Sequence, residues 1–491
     1  MTGVEKLTGA APSHEECWKA INWPKAENAV KRLQMRIAKA EREGKRGKVK
    51  ALQWILSHSF FAKLLAVKRV CGNKGAKCPC VDGKIWHTPA RKMHGALSLK
   101  RQGYQAQPLR RILIPKKNGK KRPLGIPTIK DRAMQALYLL SLSPIAETRA
   151  DRNSYGFRYN RSCRDAISQC FRALAKSNSS RNILDADIKA CFDWIDHDWL
   201  LNNIPIDKRM LRQWLKSGYL ENRTLYPTTR GTPQGGIISP TLANMCLDGL
   251  EEVIQASCPR RSKVNFIRYA DDFITTAASR AYLEKNILPA IRRFLKPRGL
   301  ALSKEKTRII RIEEGVEFLG QRMQKFQNKL LTTPSKESKQ SFLKKVSQII
   351  RSCHGQKAHE MIKRLNPIIR GWANYHRYVQ SAETFSEAGT SIYQTLKRWI
   401  KRRHPNKNWD WIKKTYFNHP RRPWAFCSTV KDKNGKKTFY ELITPSQIKC
   451  VRYIKIKGSF NPFDPTYREY LKQRRKCSSY PITNNLAVGF S

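Results

Sequence analysis

Two stretches of this sequence carry carboxylates where they could hold cations. Read as a strand, Asn182–Ile188 puts Ile183, Asp185 and Asp187 on one face and Leu184, Ala186 and Ile188 on the other. Alone, that stretch also fits an edge strand with a solvated acidic face. The second stretch narrows the choice. Val264–Tyr269 and Phe273–Thr276 are strand-like, and Tyr269-Ala270-Asp271-Asp272 lies at the bend between them. Adjacent aspartates at a hairpin tip, brought beside Asp187, would offer oxygen ligands to two divalent ions roughly 3.5–4 Å apart. Such ions activate an attacking hydroxyl and stabilise a leaving pyrophosphate, and phosphoryl transfer asks for little further covalent chemistry. The pattern points to a nucleotidyl transferase.

The elements around these aspartates must bring them together. Between them lies Gly231-Thr232-Pro233-Gln234-Gly235-Gly236, whose glycines permit close backbone approach. Ser239 and Pro240 then read as N-cap and first residue of a helix through Leu242, Met245 and Leu250. Upstream, Arg110–Pro115 and Arg122–Ile126 form a hairpin whose tip is Lys116–Lys121. Thr128, with Asp131 three residues on, opens a helix through Ala133, Ala136, Leu137 and Leu140. The segment Trp23–Leu65 reads as basic amphipathic helix, either a solvated pair or an arm on RNA. From Arg181 short strands alternate with helices, and beyond about Lys336 the chain turns to basic helices rich in Trp and Tyr.

Composition bounds the partner. The 491 residues hold 96 Lys+Arg against 37 Asp+Glu, a formal charge of +59. With 40% hydrophobic and 10% aromatic residues the chain can build cores, so the excess sits on folded surfaces and calls for a long polyanion. The longest apolar run, near Leu137–Ala146, is interrupted by serines and Pro144, which excludes a membrane span. Met1–Glu16 lacks a secretory pattern, and the thirteen cysteines lack a disulfide framework, so a cytoplasmic protein is expected. Cys71, Cys78 and Cys80, with His87 and His94 downstream, lack the second ligand pair of a zinc site, and free thiols are the better reading.

Taken in order, these motifs resemble a known family. Asp187-x4-Phe192, Thr232-Pro233-Gln234-Gly235, Tyr269-Ala270-Asp271-Asp272, Gly299-Leu300 through Ser303-Lys304-Glu305-Lys306-Thr307, and Phe318-Leu319-Gly320 look like the reverse transcriptase series. Arg122–Pro127, Ser154–Arg158 and Ile368–Tyr375 resemble the bacterial group II intron-encoded reverse transcriptase/maturases, over roughly Trp23–Tyr470. The resemblance implies an α+β right-hand polymerase. Its expected parts are an N-terminal helical extension (1–90), fingers and palm with an antiparallel palm sheet (91–330), a helical thumb/maturase domain (331–425) and a small basic DNA-binding region (426–491). It also implies two Mg²⁺ ions held by Asp187, Asp271, Asp272 and the Ile188 carbonyl, with Lys306 as general acid. Phe192 would crowd a ribose 2′-OH, Gln234 would pack on the incoming nucleotide, and Lys120 and Arg122 would hold its triphosphate. Arg370, Arg377, Arg398, Lys401, Arg402 and Arg403 would grip RNA, with most of the nearby tryptophans in the core.

The implied partners are a group II intron RNA, an RNA template with a DNA primer, and dNTPs, in a ribonucleoprotein or nucleoid setting, as a monomer or dimer. Several residues depart from the family pattern. Cys80 stands where relatives have glycine, Ala190 and Trp194 where they more often have Gly and Asn, and Gln321 where an aromatic is usual, which would alter the primer grip. The C-terminal Lys472–Ser491 holds none of the paired cysteines and histidines of an H-N-H nuclease, so that domain is expected to be absent. An RNA-binding splicing cofactor without polymerase function, and a reverse transcriptase recruited to host defence or repair, stand as alternatives.

Overall fold

The structure is a computed structural model that describes residues 13–115, 119, 121–431, 435–476 and 479–481. Lys120 and most of the hairpin tip around it lie outside the described residues. The chain is mixed α and β and forms two compact units, each discontinuous in sequence. The first runs to residue 162 and resumes over 184–309 and 456–471, and the second takes 163–183, 310–455 and the residues from 472.

In the first unit three helices, Trp23–Arg42, Arg46–His58 and Phe60–Cys71, bury Val30, Ile37, Leu52, Leu56, Leu64 and Val67 in one core. At its centre is the helix Ile129–Arg149, buried on nearly every face. Its serines do not break it, because Ser141 and Ser143 donate to the carbonyls of Tyr138 and Leu139 within the helix, at 2.9 and 2.7 Å. Thr128 caps it by accepting from the Asp131 N–H at 3.1 Å.

Two sheets frame this core. Strands β1 (Leu109–Pro115) and β2 (Lys121–Ile126) pair antiparallel, from Arg110 opposite Ile126 to Pro115 opposite Lys121. With β4 (Tyr219–Glu221) and β5 (Thr224–Tyr226) they make a sheet ordered β2-β1-β4-β5. The second sheet is ordered β6-β7-β3-β8, from β3 (Asn182–Asp187), β6 (Asn265–Tyr269), β7 (Asp272–Ala277) and β8 (Arg308–Arg311). Alternation along β3 is as the sequence indicates. Leu184 and Ala186 are buried, while Asp185 and Asp187 are half-buried.

In the second unit a three-stranded sheet, β11 (Lys329–Pro334), β10 (Gln321–Phe326) and β9 (Val316–Phe318), accompanies the helices Lys336–Ser352, Ala358–His376 and Ala382–Arg403. Their shared core includes Phe342, Val346, Leu365, Ile369, Leu396 and Trp399. Among the described residues no helix is long and apolar enough to cross a membrane.

Candidate active site

The candidate carboxylates converge through backbone pairing. The last pair of the β6–β7 hairpin is Tyr269 with Asp272, leaving Ala270 and Asp271 as a two-residue tip. Ala270 takes a left-handed φ of 60°, unusual for a residue with a side chain. Because β7 lies beside β3, the tip meets the end of β3, where the Ile188 N–H donates to the Asp271 carbonyl at 3.3 Å. The other edge of that end is tied down as Ser303 N–H donates to the Asp187 carbonyl at 2.8 Å and Lys189 N–H to that of Ala301 at 2.9 Å.

Electrostatics at this junction show an excess of negative charge. Burial, a hydrogen bond with Asp187 and the charges of Asp271 and Asp187 push the Asp272 carboxyl up to about 7. Burial, with the charge of Asp187, also raises Asp271. Lys306 donates to Asp187 Oδ2 at 2.6 Å and is itself raised by that bond, and Arg308 donates to Asp185 Oδ2 at 3.1 Å. Among the described residues no three His, Cys, Asp or Glu side chains are gathered as a ready metal cage. Here Asp187 is engaged with Lys306 and Asp272 instead. The donor set is nonetheless all oxygen and short of cations, which fits a hard divalent ion once Lys306 yields its place. In the cysteine loop Cys80 is buried and donates its thiol to the Ile126 carbonyl at 2.7 Å, and Cys78 is exposed.

Side chains around Phe192 and Gln234 interlock. Phe192 is buried in the short helix Cys191–Trp194, which follows Ala190 at a left-handed φ of 43°. A glycine would adopt that conformation without strain. Gln234 bridges two elements that the sequence left separate. Its carbonyl accepts from Arg122 Nε at 2.6 Å and its amide donates to Asp193 Oδ1 at 3.0 Å. Its backbone is fixed too, as Gly125 N–H donates to the Gln234 carbonyl at 2.7 Å. A Cβ on Gly235, whose φ is 121°, would lie 2.4 Å from the Gly125 carbonyl oxygen, so only glycine allows that crossing. Ser239 is the first residue of its helix, and its hydroxyl makes no capping bond, contrary to the N-cap expectation.

The sequence reading missed two features. Phe157, at φ 57° and 56% exposed, sets its ring edge-on to Phe192 with centroids 6.3 Å apart. Arg268, one residue before Tyr269, is fully buried among Asp151, Asp248 and Asn244. A cation between the apolar Phe266-Ile267 and Tyr269 was the available signal.

In the second unit Arg370, Arg398, Lys401 and Arg402 are exposed, while Arg377 and Arg403 are half-buried. Arg403 donates to the carbonyl of Gln356 at 2.5 Å, so it also braces its own fold. Trp399 is core and Trp372 stacks on Phe342 at 4.2 Å, whereas Trp424 is exposed. Gln321 is buried and hydrogen-bonded to His376, and Tyr375 donates to the Leu319 carbonyl at 2.8 Å. The unusual residue thus faces inward to a helix.

Comparison with known families matches three consecutive parts of the chain. Residues 18–99 match the N-terminal domain of reverse transcriptase, 114–323 reverse transcriptase (RNA-dependent DNA polymerase), and 339–417 the group II intron, maturase-specific domain. The group II intron-encoded protein LtrA of Lactococcus lactis subsp. cremoris is 40% identical over 185 residues, 36% of this chain and 30% of that protein. This chain therefore spans under a third of that relative. Protein YkfC of Escherichia coli (strain K12) is 29% identical over 52% of this chain and 79% of its own. Among solved structures, telomerase from Candida albicans aligns over 64% of this chain and 61% of that one, at 14% identity and a TM-score of 0.37.

Proposed function

We propose that this chain, a group II intron-encoded reverse transcriptase/maturase by its three domains, is an RNA-directed DNA polymerase that binds its intron RNA and assists splicing and retromobility. The observation that carries the reading is the meeting of Asp187 with the Asp271–Asp272 tip in a chain that is otherwise strongly basic.

The resident ions would be two Mg²⁺, held by Asp187, Asp271, Asp272 and the carbonyl of Ile188. Bound there, they would supply the charge that activates a primer 3′-hydroxyl and stabilises departing pyrophosphate. The protein's own groups do the rest. Lys306, which donates to Asp187, would give a proton to the leaving pyrophosphate once an ion takes over Asp187. Phe192, braced at its edge by Phe157, crowds the 2′ position of the incoming sugar and so favours dNTPs. Gln234, held by Arg122 and Asp193, offers a fixed platform for the nascent pair, and Arg122 with Lys120 neutralises the triphosphate.

Residues 1–90 act as the helical extension, 91–330 as fingers and palm, 331–425 as thumb and maturase domain, and 426–491 as a small basic DNA-contacting region. Arg370, Arg377, Arg398, Lys401, Arg402 and Arg403 grip intron RNA, and the protein works within a ribonucleoprotein particle. The test is extension of a DNA primer on an RNA template with Mg²⁺ and dNTPs. Wild-type protein extends the primer, and the double variant Asp271→Ala, Asp272→Ala does not; activity surviving that change would sink the two-ion assignment.

A further inference from the structure

Arg268 heads the fully buried side chains of the described residues, and it lies on β6 two positions before the tip residue Ala270. A guanidinium stripped of water must find acceptors in the protein. Its Nη2 donates to Asp248 Oδ1 at 2.6 Å and sits 3.8 Å from Asp151 Oδ2. Its Nη1 donates to Asn244 Oδ1 at 3.1 Å and to the Ala270 carbonyl at 3.4 Å. That carbonyl belongs to the peptide between Ala270 and Asp271.

The partners close a ring. Asn244 turns its amide to the Gly156 carbonyl at 2.8 Å, and Gly156 is packed so tightly on the tip that a Cβ there would lie 2.4 Å from the Ala270 nitrogen. The Arg268 backbone is fastened to the same segment, donating to the Asn153 carbonyl at 2.9 Å and accepting from Tyr155 N–H at 2.8 Å. A hydrocarbon side chain of similar size would fill the volume with no charge to desolvate. What it would lack is a donor for the Ala270 carbonyl and a partner for Asp248.

We propose that Arg268 is a positioning residue: braced by Asp248 and Asn244, its guanidinium fixes the Ala270–Asp271 peptide and so sets the angle at which Asp271 and Asp272 face Asp187. The inference rests on reading those aspartates as cation ligands. Arg268 is fully buried and acts through the peptide it holds.

The test compares full-length wild type with Arg268→Lys, Arg268→Met and Asn244→Ala by three measurements: thermal midpoint, Mn²⁺ binding by electron paramagnetic resonance, and primer-extension kcat and KM. Lysine can still pair with Asp248 but cannot reach Asn244 and the Ala270 carbonyl together. Arg268→Lys should therefore keep a near-wild-type midpoint and KM, yet lose about 100-fold in kcat and about 10-fold in Mn²⁺ affinity. Arg268→Met should lose stability as well, and Asn244→Ala should show a smaller loss of kcat and Mn²⁺ affinity. Wild-type kcat and Mn²⁺ affinity in Arg268→Lys would overturn the proposal, as would losses that merely track the midpoint across the series. If Arg268→Met does not fold, the other two variants decide. If the wild type extends no primer, the polymerase reading fails, and Mn²⁺ affinity alone still decides the role of Arg268.

Discussion

Asp272, at the exposed start of β7, and the buried His376 have opposite pH signatures. The Asp272 carboxyl is raised from 3.8 to about 7, so over that window the folded state keeps a proton the unfolded chain has lost. Without a cation, stability therefore falls as pH rises toward 7. A divalent ion that lets the cluster ionise removes this cost, so Mg²⁺ should raise the thermal midpoint by a few degrees at pH 8 and much less at pH 5. Asp271→Ala with Asp272→Ala should abolish that difference in a thermal scan. His376, 1% exposed, is lowered by burial from 6.5 to about 4. Here the unfolded chain takes up the proton first, so stability should fall by up to roughly 3 kcal/mol as pH drops from 6.5 to 4. Urea unfolding of His376→Gln across that range should show a flattened dependence.

The aspartate hairpin shows how elements place residues they do not contain. Two strands with a short acidic tip were legible from alternation and composition; the outer bounds each differ by one residue, and Asp272, expected in the bend, is the first residue of β7. What alternation does not report is the segment packed against the tip. Gly156 has an ordinary φ, and its need for hydrogen in place of Cβ comes wholly from the Ala270 nitrogen of a strand pair far along the chain. Gly156→Ala should push the tip aside, cost about 1–3 kcal/mol, and lower primer extension far more than RNA binding. Urea denaturation, primer extension and filter binding of the purified variant check the three parts of that expectation. Gln234 makes the same point, since its link to Arg122 joins positions 112 residues apart.

For the whole molecule, the surplus of 96 Lys+Arg over 37 Asp+Glu dominates behaviour at a distance. Under the proposed function, exposed cations such as Arg370, Arg398, Lys401 and Arg402 would neutralise phosphates and release counterions on binding RNA. The dissociation constant for a structured RNA should weaken by about 10³-fold or more between 50 and 200 mM salt if six or more phosphates are contacted. A slope near zero in a salt titration would show that the charge serves another purpose. The few internal acids are spent differently, with Glu147 paired to Arg158 at 2.8 Å and Asp248 to Arg268 inside the first unit.

Residue type and spacing determined the sheet-and-helix class, the aspartate tip and the preference for a polyanion, because alternation, turn chemistry and net charge are local or additive. Only the tertiary structure decided what faces what. Gln321 turns inward to His376, the Cys80 thiol donates to the Ile126 carbonyl, and Arg268 donates to the Ala270 carbonyl at the aspartate tip. Each of these depends on a partner distant in sequence, and the cost of burying a polar group is met only where the folded chain supplies that partner.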